Sequence, residues 1–279
     1  MGQSKIMTDS DLADLAGRTQ AELQVPLNKQ LAPLGHRAMA ALAARPGERV
    51  LDIGCGTGQT SNELGRIVGS AGEVLGIDLS PGALAAAKKN SADLAQVRFV
   101  QGDAQAFPFA NGAYDAAFSR FGVMFFVDPV EAFRNIRRAL KPMGRLAFVC
   151  WRALAENDLD SVPLGAAAPY LPPLEPDPDS APPFSFADPN RVHGILAKAG
   201  FQGIEIAAYD HLVGTGDAQS MLELALRVGS LGKIVREAAQ LRPLVIEPVR
   251  KALAEFDGPS GPRLNAATWI VTARSRSRS

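Results

Sequence analysis

Residues 50–58 read Val50-Leu51-Asp52-Ile53-Gly54-Cys55-Gly56-Thr57-Gly58, and the rest of the chain can be placed relative to them. Arg49 to Ile53 is short, apolar and β-branched, which predicts a buried strand. Glycines at alternate positions then make a turn. Beyond it, Leu64, Ile67 and Val68 fall on one face of an amphipathic helix. Glycine has no Cβ, so the backbone can turn sharply and lie against a ligand. The helix that opens there presents unpaired N–H groups and a partial positive charge. This arrangement predicts a site for a nucleotide-like ligand at the carboxyl end of a parallel strand.

The spacing separates two kinds of ligand. A dinucleotide fingerprint needs G-x-G-x-x-G or A. Here Gln59 occupies the third glycine position, so that pattern fails. The stretch instead reads D-x-G-x-G-x-G, with Asp52 ahead of the turn. A carboxylate beside a pyrophosphate would repel it, whereas it can bind a cationic ligand directly or through water. The stretch resembles motif I of the class I S-adenosylmethionine-dependent methyltransferases.

The following units repeat the pattern of a strand ending in an acid. Glu73-Val74-Leu75-Gly76-Ile77-Asp78-Leu79-Ser80 predicts a second strand, with Ser80 and Pro81 passing straight into a helix. Asp78 can accept from both hydroxyls of a ribose. Val97 to Gln101 predicts a third strand, followed by Gly102-Asp103-Ala104-Gln105. The fourth, Tyr114 to Phe126, resembles the family's motif IV, with Ser119 and Arg120 at its end. The resemblance implies cofactor contacts from Asp52, Gly54, Cys55, Gly56, Thr57 and Gly58, from Asp78 and Leu79, from Asp103, Ala104 and Gln105, and from Ser119 and Arg120. In it, Asp103 meets the adenine amino group, and backbone carbonyls at Ser119 and Arg120 hold the methionine ammonium. Phe121, Met124, Phe125, Trp151, Phe184 and Phe186 are candidates for the acceptor pocket.

Residues 11–45 have helical periodicity, and Pro26 and Pro33 predict two or three short helices there. Asp128-Pro129 opens another helix, and Gly144 to Trp151 is a fifth strand. Eight prolines between Pro163 and Pro183 predict a long loop or lid without regular structure. Asp188 caps a further helix, strand six falls near 203–208, helices return over 218–256, and Ala266 to Thr272 is the last strand. The layout predicts an α/β, doubly wound sheet. The resemblance makes it a seven-stranded, mostly parallel, Rossmann-like class I methyltransferase fold. Residues 1–45 would be an N-terminal helical cap and 46–273 the methyltransferase domain. Within it, the proline-rich loop at 152–187 and the helical insertion at 218–256 would form an acceptor lid. Residues 274–279 alternate arginine and serine and read as a disordered tail.

Lys plus Arg and Asp plus Glu number 29 each, which removes any general electrostatic reason to bind nucleic acid or a membrane surface. Two separated cysteines predict no disulfide framework, and no zinc-ligand spacing appears. There is no apolar run long enough to span a bilayer, and a cytoplasmic protein is expected. The expected partner is a small-molecule methyl acceptor, and the expected state a monomer or homodimer. His36, His193 and His211 fall in no motif, so the sequence names no catalytic base and no metal ligand. The chain is therefore expected to transfer a methyl group from S-adenosyl-L-methionine to a small, largely apolar molecule, leaving S-adenosyl-L-homocysteine. The alternative is a cofactor-binding protein of the same fold with a regulatory or scaffolding role.

Overall fold

The structure, a computed structural model, describes residues 9–173 and 182–276. Seven strands form one sheet in the order β3-β2-β1-β4-β5-β7-β6. They are β1 (Arg49–Ile53), β2 (Glu73–Asp78), β3 (Val97–Gln101), β4 (Tyr114–Arg120), β5 (Leu140–Trp151), β6 (Gln202–Val213) and β7 (Leu264–Arg274). The first five run parallel. β7 runs antiparallel between β5 and β6. β1 and β4 are buried almost throughout, as strands covered on both faces must be.

Helices α1 (Asp9–Glu22) and α2 (Gln24–Leu42) precede the sheet. Helices α3 (Gln59–Val68), α4 (Pro81–Asn90), α5 (Pro129–Ala139) and α7 (Pro189–Lys198) are its crossovers. Local chemistry sets their starts. Ser80 Oγ accepts from Ala83 N–H at 3.1 Å, and Asp128 Oδ1 accepts from Glu131 N–H at 3.0 Å. A proline follows each cap at the first helical position, where its missing N–H costs nothing.

The N-terminal segment departs from the expected short pieces. Pro33 lies inside the 19-residue α2 without ending it. Leu34, Ala38, Met39 and Leu42 of that helix are buried in the main core, so tertiary packing outweighs the hydrogen bond the proline removes. The loop expected over 152–187 is also partly helical. Asp158–Ala167 forms α6 around Pro163, and the other prolines of the run come after it. Residues 174–181 lie outside the described residues.

Helices α8 (Ala218–Arg227), α9 (Gly229–Glu237) and α10 (Arg242–Ala254) fill the insertion before β7. With α6 they build a second apolar cluster that includes Leu164, Leu222, Leu231, Val245, Val249 and Leu253. The tail begins later than expected: Arg274 ends β7, and Ser275 N–H donates to Gly144 O at 2.9 Å. Of the remainder, 277–279 are outside the described residues. Among the described residues no helix is long and apolar enough to cross a membrane.

Candidate functional site

The glycine turn is held against β2 before any side chain takes part. Gly54 and Cys55 N–H both donate to Ile77 O, at 2.9 and 3.1 Å. Gly54, Gly56 and Gly58 all have positive φ, which a side chain would strain. At Gly54 there is also no room: an added β-carbon would lie 2.8 Å from Gly122 Cα. Gly122 belongs to the bend that ends β4, where Ser119 Oγ donates to Ile53 O at 2.7 Å and accepts from Gly122 N–H at 3.2 Å. At Gly56, by contrast, an added β-carbon would meet nothing nearer than Gln20 Oε1, at 3.5 Å. The ends of β1, β2 and β4 are thereby locked into one edge.

Three acids sit on that edge in different states. Asp52 is fully buried, and its Oδ2 accepts from Thr60 Oγ1 at 2.7 Å and Ser61 Oγ at 2.6 Å. Its other oxygen, Oδ1, is buried and without a partner. Burial pushes this carboxyl up to about 6, against the two hydroxyls and the nearby Arg120 charge, which pull it down. Asp78 accepts from Gly56 N–H at 2.8 Å through Oδ2 and from Ser80 N–H at 2.9 Å through Oδ1. Burial raises it as well, against those backbone bonds. Each Asp78 oxygen retains acceptor capacity for a further donor. Asp103 is exposed, and its Oδ1 accepts from Gln105 N–H at 2.8 Å.

Beside these stands Arg120. Its Nη1 donates to Gln59 Oε1 at 2.6 Å and its Nη2 to Asn28 Oδ1 at 3.0 Å. Burial lowers its pKa, while Asp52 and Glu63 oppose that shift. Cys55 is buried with its thiol raised by burial, so it packs rather than reacts. Thr57 and Ala104 are buried, whereas Leu79 is exposed. Gln105 Oε1 accepts from Asp128 N–H at 2.9 Å, tying the end of β3 to the loop after β4.

The aromatic candidates divide. Phe121 and Trp151 stack at 4.1 Å on the ends of β4 and β5, and Phe121 holds a φ of 61°, unusual for a side-chain-bearing residue. Phe125 is 59% exposed at the same edge. Met124 is buried, and its sulfur accepts from Trp151 N–H at 3.4 Å. Phe184 is fully buried, and Phe186 packs against Phe133 and Phe148 in the main core. These two were expected to line a pocket; both are instead closed off from solvent. None of the histidines reaches the edge through a described contact. His36 pairs with Glu63 at 3.0 Å, and His211 stacks on Tyr209. Among the described residues no three metal-ligating side chains come together.

The contacts that bring the N-terminal helices to this edge join residues far apart in sequence. In α1, Asp14 accepts from Ser80 Oγ and from Gly82 N–H, at 3.3 and 3.2 Å. Gly17 allows that approach, since a β-carbon there would fall 2.0 Å from Ser80 Oγ. Gln20 faces Gly56, and Asn28 of α2 reaches Arg120. Thr60 and Ser61, which hold Asp52, carry no motif of their own. They could have been suspected from their place in the first turn after the glycines.

The chain's own atoms fit S-adenosylmethionine. An orphaned carboxylate oxygen suits a cationic group, Asp78 can accept further donors, and the loop at Gly56 leaves room along its backbone. Fold and edge together define a Rossmann-like α/β domain, of the architecture in which the carboxyl ends of the strands are the usual place for a ligand.

Residues 51–148 match the protein family described as "Methyltransferase domain". A demethylmenaquinone methyltransferase of Staphylococcus aureus is 38% identical over 108 residues, which is 39% of this chain and 45% of that relative. The chain thus spans less than half the length of the curated relatives it matches. An S-adenosylmethionine-dependent methyltransferase from Aquifex aeolicus has the same fold, with a TM-score of 0.53, 16% identity, and 92% of this chain and 98% of that one covered. So does phosphoethanolamine N-methyltransferase 2 of Haemonchus contortus, solved with S-adenosyl-L-methionine, at a TM-score of 0.60 and 17% identity over 98% of this chain and 61% of that one. Residues 51–148 thus match a methyltransferase domain, and the chain shares its fold with S-adenosylmethionine-dependent methyltransferases.

Proposed function

We propose that this protein transfers the methyl group of S-adenosylmethionine to a small, largely apolar acceptor. The observation that carries the proposal is the edge itself: a buried, half-satisfied Asp52 beside a glycine turn that Asp78 holds open through the Gly56 amide. When bound, the sulfonium supplies an electrophilic methyl group without a metal. The chain's part is to hold that group, to aim an acceptor at it and to exclude water. Asp52, Asp78 and the 54–58 backbone would hold the cofactor, and Asp103, Ala104 and Gln105 would border its base. Ser119 and Arg120 would lie along its amino-acid end.

The acceptor class is supported by what stands at the edge. The Phe121–Trp151 stack, exposed Phe125 and exposed Leu79 present apolar surface where β2, β4 and β5 end. The backbone strain at Phe121 is of the kind that collects at functional sites. The similarity to demethylmenaquinone methyltransferases adds a planar, conjugated acceptor to the candidates. In this reading α1 and α2 cap the cofactor, and the segments 152–187 and 218–256 close over the acceptor. It also makes the protein a cytoplasmic monomer or homodimer that engages neither nucleic acid nor membrane. Its two free, buried cysteines agree with a reducing compartment.

The test is incubation of the full-length protein with S-adenosylmethionine and a panel of hydroxylated aromatic and quinol-like molecules. Mass spectrometry should show S-adenosylhomocysteine together with an acceptor heavier by one methylene unit. Tight cofactor binding with no product from any acceptor would favour a regulatory role instead.

A further inference from the structure

β6 lies at one margin of the sheet and pairs with β7 on one side only. It is 12 residues long, and an edge strand presents a row of unpaired N–H and C=O groups that another strand can take up. The direction of those groups follows from β7. Ala267, opposite Asp210, donates its N–H to Asn157 Oδ1 at 2.8 Å, and its C=O accepts from Arg152 N–H at 3.0 Å, both away from β6. Bonded and non-bonded pairs alternate along an antiparallel ladder. Asp210 therefore turns its backbone groups outward, and so do Ile206 and Ala208. Tyr209, between them, turns inward, and its C=O accepts from Thr268 Oγ1 at 2.8 Å. Both ends of the outward row are closed. At one, Gly203 has a φ of 58° and the ladder shifts register between Gln202 and Glu205. At the other, Arg263 Nη2 donates to Leu212 O at 2.7 Å. Between them no strand among the described residues takes up the outward groups, and Ala207 and Ala208 are exposed.

We propose that this open stretch, from Glu205 to His211, joins two copies of the chain edge to edge and antiparallel, about a two-fold axis at Ala208. Outward groups then meet outward groups: Ala208 faces Ala208 of the second copy, and Ile206 faces Asp210. On the α2 face, where Arg37 lies 5.9 Å over the Tyr209 ring, small Ala207 faces Tyr209 and Glu205 faces His211. Glu205 is exposed and forms no ion pair among the described residues. His211 stacks on Tyr209, whose hydroxyl lies 3.3 Å from Nδ1. With its proton on Nε2, His211 accepts from that hydroxyl and is left to donate to the facing carboxylate. On the other face Asp210 is held by Arg152 at 3.0 Å, so it brings no free charge to the pair with Ile206. Moving the axis by one residue either way sets Glu205 against Tyr209 or Val213 and loses the charge match. Opposite charges facing across a pair stabilise it, and side chains come closest at the non-bonded positions, where Glu205 and His211 fall. Two seven-stranded sheets would become one, with β1 and β4 of each copy well inside it. The inference does not depend on the ligand of either copy.

Analytical ultracentrifugation and disulfide trapping on the full-length protein test this. The wild type should sediment as a dimer that dissociates on dilution. Ala208→Pro removes an outward N–H that has no partner within the chain, a change edge strands tolerate. The dimer dissociation constant should then rise about 10-fold or more, because each copy loses a donor to the other. Glu205→Lys should raise it about 3- to 10-fold through the two symmetric pairs, and adding His211→Glu should restore most of the loss. Ala208→Cys should give a covalent dimer under mild oxidation with diamide. A bonded pair across the axis holds its Cα atoms about 5.5 Å apart, within reach of a disulfide. Ala207→Cys, out of register with its own copy, should not. Cys55 and Cys150 are buried and do not compete. The charge and trapping variants decide the matter should Ala208→Pro fail to fold. A wild type that stays monomeric at about 0.1 mM would overturn the proposal. So would a dimer indifferent to Glu205→Lys, or equal trapping at 207 and 208.

Discussion

Two carboxyl groups are lifted to about 6 by burial, Asp52 on the sheet edge and Asp160 on α6, in the helical annexe that α6 forms with α8, α9 and α10. Asp160 is a structural cap. It accepts from Ser230 N–H at 3.1 Å at the opening of α9, and Gly229 lets it come close. No atom of Asp160 is left buried without a partner, whereas Asp52 Oδ1 is. A raised carboxyl therefore reports burial and nothing more. What sets the edge apart is an unsatisfied atom, a cation held nearby without a counter-ion, and backbone kept in conformations that side chains resist. The annexe has a core of its own and every feature of a part built to pack.

The largest effect that separates the two kinds of region should come from deletions at the N-terminus. Removing residues 1–44 takes Leu34, Ala38, Met39 and Leu42 out of the main core. At about 2–3 kcal/mol for each buried side chain, that loss rivals the stability of a whole domain. Such a protein should not fold, as circular dichroism would show. Removing residues 1–22 takes Asp14 and Gln20 from the edge and spares the buried face of α2, so the fold should survive while cofactor affinity falls. A folded, fully active 45–279 fragment would mean that α2 is not part of the core.

Within the edge, Gly54 and Gly56 should separate cleanly. Gly54→Val places a side chain against Gly122 and should cost roughly 3 kcal/mol or more, visible as a much lower Tm. Gly56→Val should cost about 1–2 kcal/mol of backbone strain, remain folded and lose cofactor binding. Similar melting of the two variants would show that the contact with the β4 bend is not what holds the edge.

The two raised carboxyls make the comparison testable by pH. Each holds its proton more tightly in the folded than in the unfolded chain, from an ordinary value of 3.8 to about 6. The stability each confers is complete below about pH 4 and is lost as pH rises through about 6. For Asp52 the full swing is on the order of 3 kcal/mol. Asp52→Asn and Asp160→Asn should each flatten the fall in stability between those limits in denaturant titrations. Asp52→Asn alone should also weaken cofactor binding. Equal loss of binding in both variants would erase the distinction drawn here.

The smallest effects should come from strained positions away from the edge. Ala43 ends α2 at φ 51°, and Met143 turns into β5 at φ 60°. Glycine at either should stabilise the fold by about 0.5–1 kcal/mol without touching cofactor affinity. Phe121 has the same backbone strain but stacks on Trp151, so Phe121→Gly should weaken acceptor binding even where it relieves the backbone.

The sheet and its acid-tipped strands were legible because their signals are local. A buried parallel strand is a short apolar run, a glycine turn needs its glycines at set positions, and a helix cap lies within three residues of what it caps. Asp52, Gly54 to Gly58, Asp78, Asp103, Ser80 and Asp128 could all be found that way. Other features depend on residues distant in sequence and could not be read from it. Pro33 and Pro163 looked like breaks, but packing against β-strands and the annexe keeps both helices intact. Phe184 and Phe186 had the composition of a pocket wall, and only the tertiary structure puts them inside the core. Arg120 meets Asn28 across 92 residues, and Asp14 meets Ser80 across 66. No periodicity encodes such contacts, because they arise from where the chain folds back on itself, and with them come the unpaired charge of Arg120 and the orphaned oxygen of Asp52. The sequence alone thus determined the sheet and its acid-tipped strands; tertiary packing decided which side chains of α1 and α2 meet that edge and which charges there are left without a partner.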